Sequence, residues 1–267
     1  MIDDNRPHKP PLDPEALRDA MSLSIWAGQM LLQHGADSAR VEETVHRIGT
    51  GLGADWMDIL VTADSIVATT INNHEFRTKV RRAPTRGINM TLIDRVSALS
   101  YQVASGKLDR FALRARLREM DHLQPEYNRW WVVLAVGLAC AAISRFFGGD
   151  LAAFGITFAA SAVAMLVRQE LARHHLNFIL VTTATAFVAS GLAALGAMTG
   201  FSATPSAAIS ASVLLLVPGV PLINGAKDLI NGYPMNGVAR GVNALVIVLC
   251  IAVGLSAALW VTGVTLP

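Results

Sequence analysis

The 267-residue chain is 52% hydrophobic and 16% charged, with a formal net charge of +2 and a mean hydropathy of +0.43. So small a net charge excludes nucleic-acid binding driven by bulk charge, and the averages conceal a division. Residues 1–129 hold 17 basic and 17 acidic side chains, whereas residues 130–267 hold five and three. The first part has the composition of a soluble domain and the second that of a membrane-embedded one.

In chain order, residues 1–14 carry alternating charges and no apolar core, which predicts a flexible tail and not a secretory signal. Residues 15–128 are expected to form a soluble α+β domain. A first helix runs from about Leu17 through Met30–Leu32 and ends at Gly35, and a second starts with Asp37 or Ser38 as N-cap. The β-rich runs WMDILVT, SIVATTI and FRTKVRR follow, separated by Ala-Asp and Asn-Asn-His-Glu turn signals. Two more helices, about Ile88–Ala104 and Arg110–Met120, precede a short linker with Pro125.

Residues 129–267 read as a bundle of about five transmembrane helices, near Trp130–Phe147, Leu151–Val167, Leu176–Met198, Ser202–Val217 and Val238–Val261. No Asp, Glu, Lys or Arg lies between Arg173 and Lys227. The fold class expected is thus an α-helical membrane protein behind a soluble cytoplasmic α+β domain. Arg168, Arg173 and Lys227 fall in loops on one side, with Arg145 as the exception, which places the N-terminus in the cytoplasm and the C-terminus outside. An odd number of spans without a second repeat leaves the bundle unfinished by the standard of repeat-built transporters, so a partner subunit or a homo-oligomer is expected.

Several chemistries can be weighed and set aside. Cys140 and Cys250 lie in apolar runs without paired spacing and read as small hydrophobes. His174-His175 project in different directions on a helix and lack a further ligand at metal spacing, so neither metal nor cofactor is expected. The chain contains no His-Glu-x-x-His, Gly-x-Ser-x-Gly or Gly-Lys-Ser/Thr phosphate loop, and no enzyme activity is expected. The basic run Arg77–Gly87 has strand spacing and little aromatic interleaving. It reads as a solvated face, or one turned toward anionic lipid or an anionic solute, and not toward nucleic acid.

The segment SVLLLVPGVPLINGAKDLINGY, Ser212–Tyr233, stands apart. Proline inside a helix removes a backbone hydrogen bond and clashes with the preceding turn. Two readings fit. The fourth span ends at Val217 and Pro218-Gly219-Val220-Pro221 is a cytoplasmic helix stop, or the helix is discontinuous and its second half presents Asn224, Lys227 and Asp228 to a polar solute. Under the second reading Asn224 and the half-helix N-terminus bind a carboxylate, Lys227 adds positive charge, and Asp228 carries a coupling proton or pairs with Lys227. Ser210 and Ser212, with Thr182, Thr183, Thr185 and Ser190, then line a polar path, although such residues are also ordinary packing residues in membrane helices.

Four stretches, LLQHGADSARVEETVHRIGTGLG, ADSIVATT, TRGIN and VLLLVPGVPLINGAKDLINGY, resemble the N-terminal portion of the threonine/serine exporter family over about Leu17–Trp260. The resemblance is closest to the family's split-subunit branch, that of a bacterial succinate exporter's large subunit. It implies a soluble domain before about five spans and a second set of spans supplied by a smaller four- or five-span membrane partner. It also implies inner-membrane export of a dicarboxylate such as succinate, or of threonine and serine. The motif positions carried over are His34, Gly35, Asp64, Arg86, Gly87, Asn89, Pro218, Gly219, Asn224 and Asp228, without individual roles. A membrane-anchored regulator whose soluble domain senses a metabolite is the competing reading from another class.

Overall fold

A computed structural model describes residues 13–72, 75–121, 127–174 and 176–265. The expected tail, the Asn73-His74 turn, the Pro125 linker and His175 lie wholly or mostly outside the described residues. The chain is mostly helical, with one small sheet near its N-terminus. It divides into two compact units. One comprises the described residues up to Asp121 together with Val220–Gly241, and the other runs from the Pro125 region to Gly219 and resumes at Val242. Sequence composition assigned 129–267 to a single bundle; the structure instead groups Val220–Gly241 with the N-terminal unit.

In the N-terminal unit, α1 (Pro14–Gln33) begins with proline at its first position, where no backbone donor is needed. It ends in a Schellman motif, with the Gly35 and Ala36 N–H groups donating to Leu32 O and Leu31 O at 3.3 and 3.0 Å. Gly35 sits at φ +90°, and a Cβ there would also meet Ile88 at 3.3 Å. Helix α2 (Ser38–Gly51) is capped by Asp37, whose side chain accepts from Arg40 N–H. The strands β1 (Trp56–Val61), β2 (Ser65–Asn72) and β3 (Glu75–Arg82) form an antiparallel meander in the order β1-β2-β3. Helices α3 (Met90–Ala104) and α4 (Arg110–Asp121) complete the layer. Leu31, Val41, Val45, Ile48, Ile66, Val96, Leu113 and Leu117, all fully buried, lie in one core cluster with Met57.

The sheet register has a consequence for charge. Met57 pairs with Thr70 and Val61 with Ile66, which puts Met57, Val61, Ile66, Ala68 and Thr70 on the buried face. On β3 the residues opposite Ile66 and Ala68 are Arg81 and Lys79. Arg77, Lys79 and Arg81 therefore share the helix-covered face, while Phe76 and Val80, 65% and 59% exposed, lie on the other with Arg82. A one-residue slip would reverse this, and the pairing with β2 forbids it.

In the second unit, α5 (Arg129–Phe146), α6 (Leu151–Arg173) and α7 (Phe178–Met198) are long and apolar enough to cross a membrane. So is α10 (Pro234–Thr262), which starts in the N-terminal unit and continues without interruption into the second. The predicted fourth span is a short helix, α8 (Pro205–Ser212), followed by one 3₁₀ turn at Leu214–Leu216 and then α9 (Gly219–Ile230). Counting α8 and α9 as one broken span gives five. The three long helices within the unit start on Asn128, Asp150 and Asn177, each accepting a backbone N–H at the helix start. Small residues face inward: Ala141, Ala153, Ala164, Ala186, Ala189, Ala193 and Ala194 are fully buried, while Phe146, Leu151, Leu180 and Val253 are exposed. Large apolar groups outside and alanines inside is the arrangement of a lipid-facing helical bundle.

Candidate functional site

The segment that breaks after Val217 folds against the loop joining α1 to α2. Pro218 is buried, Gly219 opens α9, and Pro221 lies in its first turn, where proline is tolerated. One turn later the Asn224 Nδ2 donates to Gly35 O at 2.6 Å. Asp228, on the same face, is completely buried. Its Oδ1 accepts from Ser38 N–H at 2.9 Å and its Oδ2 from Ser38 Oγ at 3.0 Å. Arg240, from the second turn of α10, closes the cluster, with Nε 3.1 Å from Asp228 Oδ2 and a terminal nitrogen donating to Ala36 O at 2.8 Å. Asn236 donates to Ser38 Oγ at 2.8 Å and Val61 O at 2.9 Å.

The buried carboxylate thus meets a guanidinium, a hydroxyl and the first free N–H of α2. That N–H belongs to a helix N-terminus, whose partial positive charge favours an anion. Asp37 sits at the same terminus, and Lys227 approaches it with Nζ 3.9 Å from Asp37 Oδ2. Lys227 therefore pairs with Asp37, whereas Asp228 pairs with Arg240. The α9–α10 hairpin is held close by glycines, since a Cβ on Gly237 would lie 2.8 Å from Gly225 O. Tyr233, between the two helices, donates its hydroxyl to Glu42 Oε2 of α2 at 2.6 Å.

Three of the four stretches singled out in the sequence meet here. Arg86 N–H donates to Gln33 O at 2.9 Å and Asn89 N–H to His34 O at 3.2 Å, so the Arg86–Asn89 segment lies along the end of α1. Asn89 also caps α3 by accepting from Leu92 N–H, and Gly87 gives the turn a φ of +126°. His34 Nδ1 lies 2.7 Å from Met30 O, as a helix-end residue bonded to its own turn. Asp64 is separate: it occupies the β1–β2 turn and pairs with Arg82 at 3.4 Å, exposed to solvent. Among the described residues no group of three His, Cys, Asp or Glu side chains is placed to hold a metal ion.

The geometry differs from a solute site built on Asn224 and Asp228, because Asn224 Nδ2 and both Asp228 oxygens are engaged by Gly35, Ser38 and Arg240. The serines of α8 behave similarly. Ser210 is exposed, while Ser212 is buried and donates to Ile209 O at 2.8 Å. Thr182, Thr185 and Ser190 donate back to carbonyls of their own helix, and Ser161 donates across to Ser212 O at 3.3 Å. These hydroxyls pack helices together. Ser38, Asn236 and Arg240 are the partners that sequence alone did not pick out. The available signal was charge scarcity: in a stretch with so few ionised groups, Asp228 and Arg240 each need a partner.

The same stretches are shared with known proteins. A family model described as "Putative threonine/serine exporter" matches residues 22–262. The chain belongs to the threonine/serine exporter family. Within it, the chain is 38% identical over 250 residues to the "Probable succinate transporter subunit YjjP" of Escherichia coli, covering 93% of this chain and 97% of that protein. The protein of the same name from Klebsiella aerogenes is 38% identical over 251 residues, 93% of this chain and 96% of its own. The "Probable threonine/serine exporter" of Mycobacterium tuberculosis is 22% identical over 243 residues, which is 89% of this chain and 45% of that longer protein. No solved structure matches the chain. As a member of this exporter family with several membrane-crossing helices, the chain is a multi-pass membrane transporter component.

The Tyr233–Glu42 contact carries a pH prediction. Burial, then the hydrogen bond to Glu42 and the charges of Glu42 and Asp228, push the Tyr233 phenol up from its ordinary value. A raised folded value means the protonated phenol is the favoured form. Its stabilisation is complete below the unfolded value of about 10 and is lost as pH rises through the folded one. The wild-type chain is therefore expected to exceed Tyr233→Phe in stability by about 1 kcal/mol near neutral pH, with the difference shrinking above about pH 10. Unfolding midpoints of both proteins across that range check this, and a difference that widened with pH would contradict it.

Proposed function

We propose that this chain is the large subunit of a two-component inner-membrane exporter of a small dicarboxylate such as succinate. The observation that carries the proposal is the match along nearly the full length of both chains with relatives named succinate transporter subunits. The same name supports a partner, which we take to be a smaller four- or five-span membrane protein completing the bundle. The large apolar side chains exposed on α5, α7 and α10 offer surface for such a partner or for lipid. We place the N-terminal unit in the cytoplasm and the C-terminus on the periplasmic side, following the basic residues. In this account α9 is a cytoplasmic element, and Asn224, Asp228 and Arg240 form a clamp that fixes the start of α10. Because α10 is one continuous helix, its clamped first turns lead directly into a membrane span. Pro218, Gly219 and Pro221 end the membrane segment and let α9 begin on a new axis, and Lys227 steadies it against Asp37.

The test is metabolite profiling of a deletion strain carrying this gene, the partner gene, both, or neither. The expected result is that succinate appears outside the cells only when both genes are present. Restored efflux of threonine or serine without succinate would replace the dicarboxylate assignment by the amino-acid alternative. Restoration by this gene alone would remove the partner from the account.

A further inference from the structure

The N-terminal unit contains a polar cleft of about 340 Å³, lined by Trp26, Gln29 and Gln33 of α1, Arg81 of β3, Arg86 and Asp121. The volume lies within the range of about 300–1,000 Å³ found for small-molecule sites. Trp26, Gln29 and Gln33 recur at helical spacing, so one stripe of α1 forms the floor. The sheet register described above supplies Arg81 as part of one wall.

Three observations give the cleft a preference. Arg81 has no hydrogen-bonding or acidic partner among the described residues. Arg86 pairs with Asp121 through one nitrogen at 3.2 Å, which leaves the other donors of its guanidinium available. Gln33 is only 4% exposed, yet no polar group of the described residues bonds its side-chain amide. Two guanidinium groups against one carboxylate leave the cleft positive. Lys79 and Arg18 stand nearby, and the Lys79 ammonium is held below its usual range by burial and then by the charges of Arg81 and Arg18. Guanidinium groups bind carboxylates through paired N–H donors.

We propose that this cleft binds a small carboxylate anion, with Arg81 and Arg86 as the charged contacts and the Gln33 amide as a neutral polar one. The site also adjoins the clamp. Gln33 O accepts from Arg86 N–H, His34 O from Asn89 N–H, and Gly35 O from Asn224, on three consecutive residues. Occupancy of the cleft therefore bears on the loop that holds α9. The proposal does not depend on which solute the exporter carries.

The purified full-length chain in detergent is titrated with succinate, with acetate and inorganic phosphate as parallel probes, by calorimetry and tryptophan fluorescence. Succinate is expected to bind saturably, to change fluorescence through Trp26, and to raise the unfolding midpoint. The Trp26→Phe variant is expected to lose the fluorescence change while calorimetric binding persists. Arg81→Gln weakens binding at least tenfold without affecting folding, since Arg81 has no partner to lose. Gln33→Leu weakens binding while leaving the ligand-free midpoint unchanged or higher, which a purely structural glutamine would not do. The proposal is overturned if succinate does not saturate, if Arg81→Gln and Gln33→Leu bind as wild type, or if phosphate binds as tightly as succinate. Because the assay needs neither partner nor membrane, its failure leaves the transport proposal standing, and failed transport leaves this site standing.

Discussion

Replacing Asp228 with alanine is expected to destabilise the N-terminal unit by about 3–5 kcal/mol, the usual effect of breaking a buried ion pair from one side. Asp228 is fully buried, and the Arg240 side chain is only 13% exposed. The substitution leaves the guanidinium with Ala36 O alone and deprives the Ser38 N–H of its acceptor. Arg240→Lys is expected to lie between wild type and Asp228→Ala. The arginine uses Nε for the carboxylate and a terminal nitrogen for the carbonyl, a fork that a single ammonium cannot reproduce. The double variant Asp228→Ala/Arg240→Ala should lose less than the sum of the single changes, because the two groups share one interaction. Chemical unfolding of wild type, these three variants and Arg240→Ala checks this. Single variants within about 0.5 kcal/mol of wild type would put the pair in the class of exposed ion pairs and sink the clamp.

The second large effect is expected in the membrane unit, where α10 crosses α7 at Gly254. A Cβ at that position would lie 2.5 Å from Thr183 O, 2.7 Å from Ala186 Cβ and 3.0 Å from Phe187 N. Two of these atoms are backbone, so no side-chain rotation relieves the contact and the helices must separate. Gly254→Val is expected to destabilise the bundle by about 1–3 kcal/mol, the range for overpacked sites. Gly191→Ala is the internal control. Its Cβ would meet only Ala258 Cβ, at 3.8 Å, which is ordinary contact, and alanine also improves helix propensity. Thermal unfolding in detergent should lower the midpoint of Gly254→Val and leave that of Gly191→Ala unchanged or raised. Equal midpoints for all three proteins would contradict the close α7–α10 approach.

Much of the architecture was legible because the physics behind it is local. A long stretch without ionised residues marks membrane spans, and Asp37 and Gly35 announce a helix start and a helix end by their own side chains or lack of one. The motif order along the chain also identified the family. What was not legible depends on distant partners. The carboxylate of Asp228 is satisfied by Ser38, 190 positions away. Nothing in the local sequence distinguishes such a buried clamp from a half-helix facing a solute. The same holds for the basic run on β3. Alternation alone suggests that Arg77, Lys79 and Arg81 face water, yet pairing with β2 turns Lys79 and Arg81 toward α1. Lys79 donates to Ser22 Oγ at 2.7 Å as a result. The fourth span was expected to run to Val217. Its helix starts only at Pro205, because Asp150 draws the preceding loop to itself, accepting from Ser202 Oγ at 3.0 Å and Ala203 N–H at 2.7 Å, and after Ser212 it gives way to a 3₁₀ turn at Leu214–Leu216.

Solute counterflow tests the central claim most directly. Proteoliposomes loaded with unlabelled succinate are prepared with this chain, with the partner, and with both, and uptake of labelled succinate is followed. Export of a dicarboxylate by the two-subunit assembly predicts accumulation only in vesicles containing both proteins, and its loss when Asp228→Ala replaces the wild-type chain. Accumulation of labelled threonine but not succinate, or equal succinate uptake in vesicles lacking this chain, would contradict it.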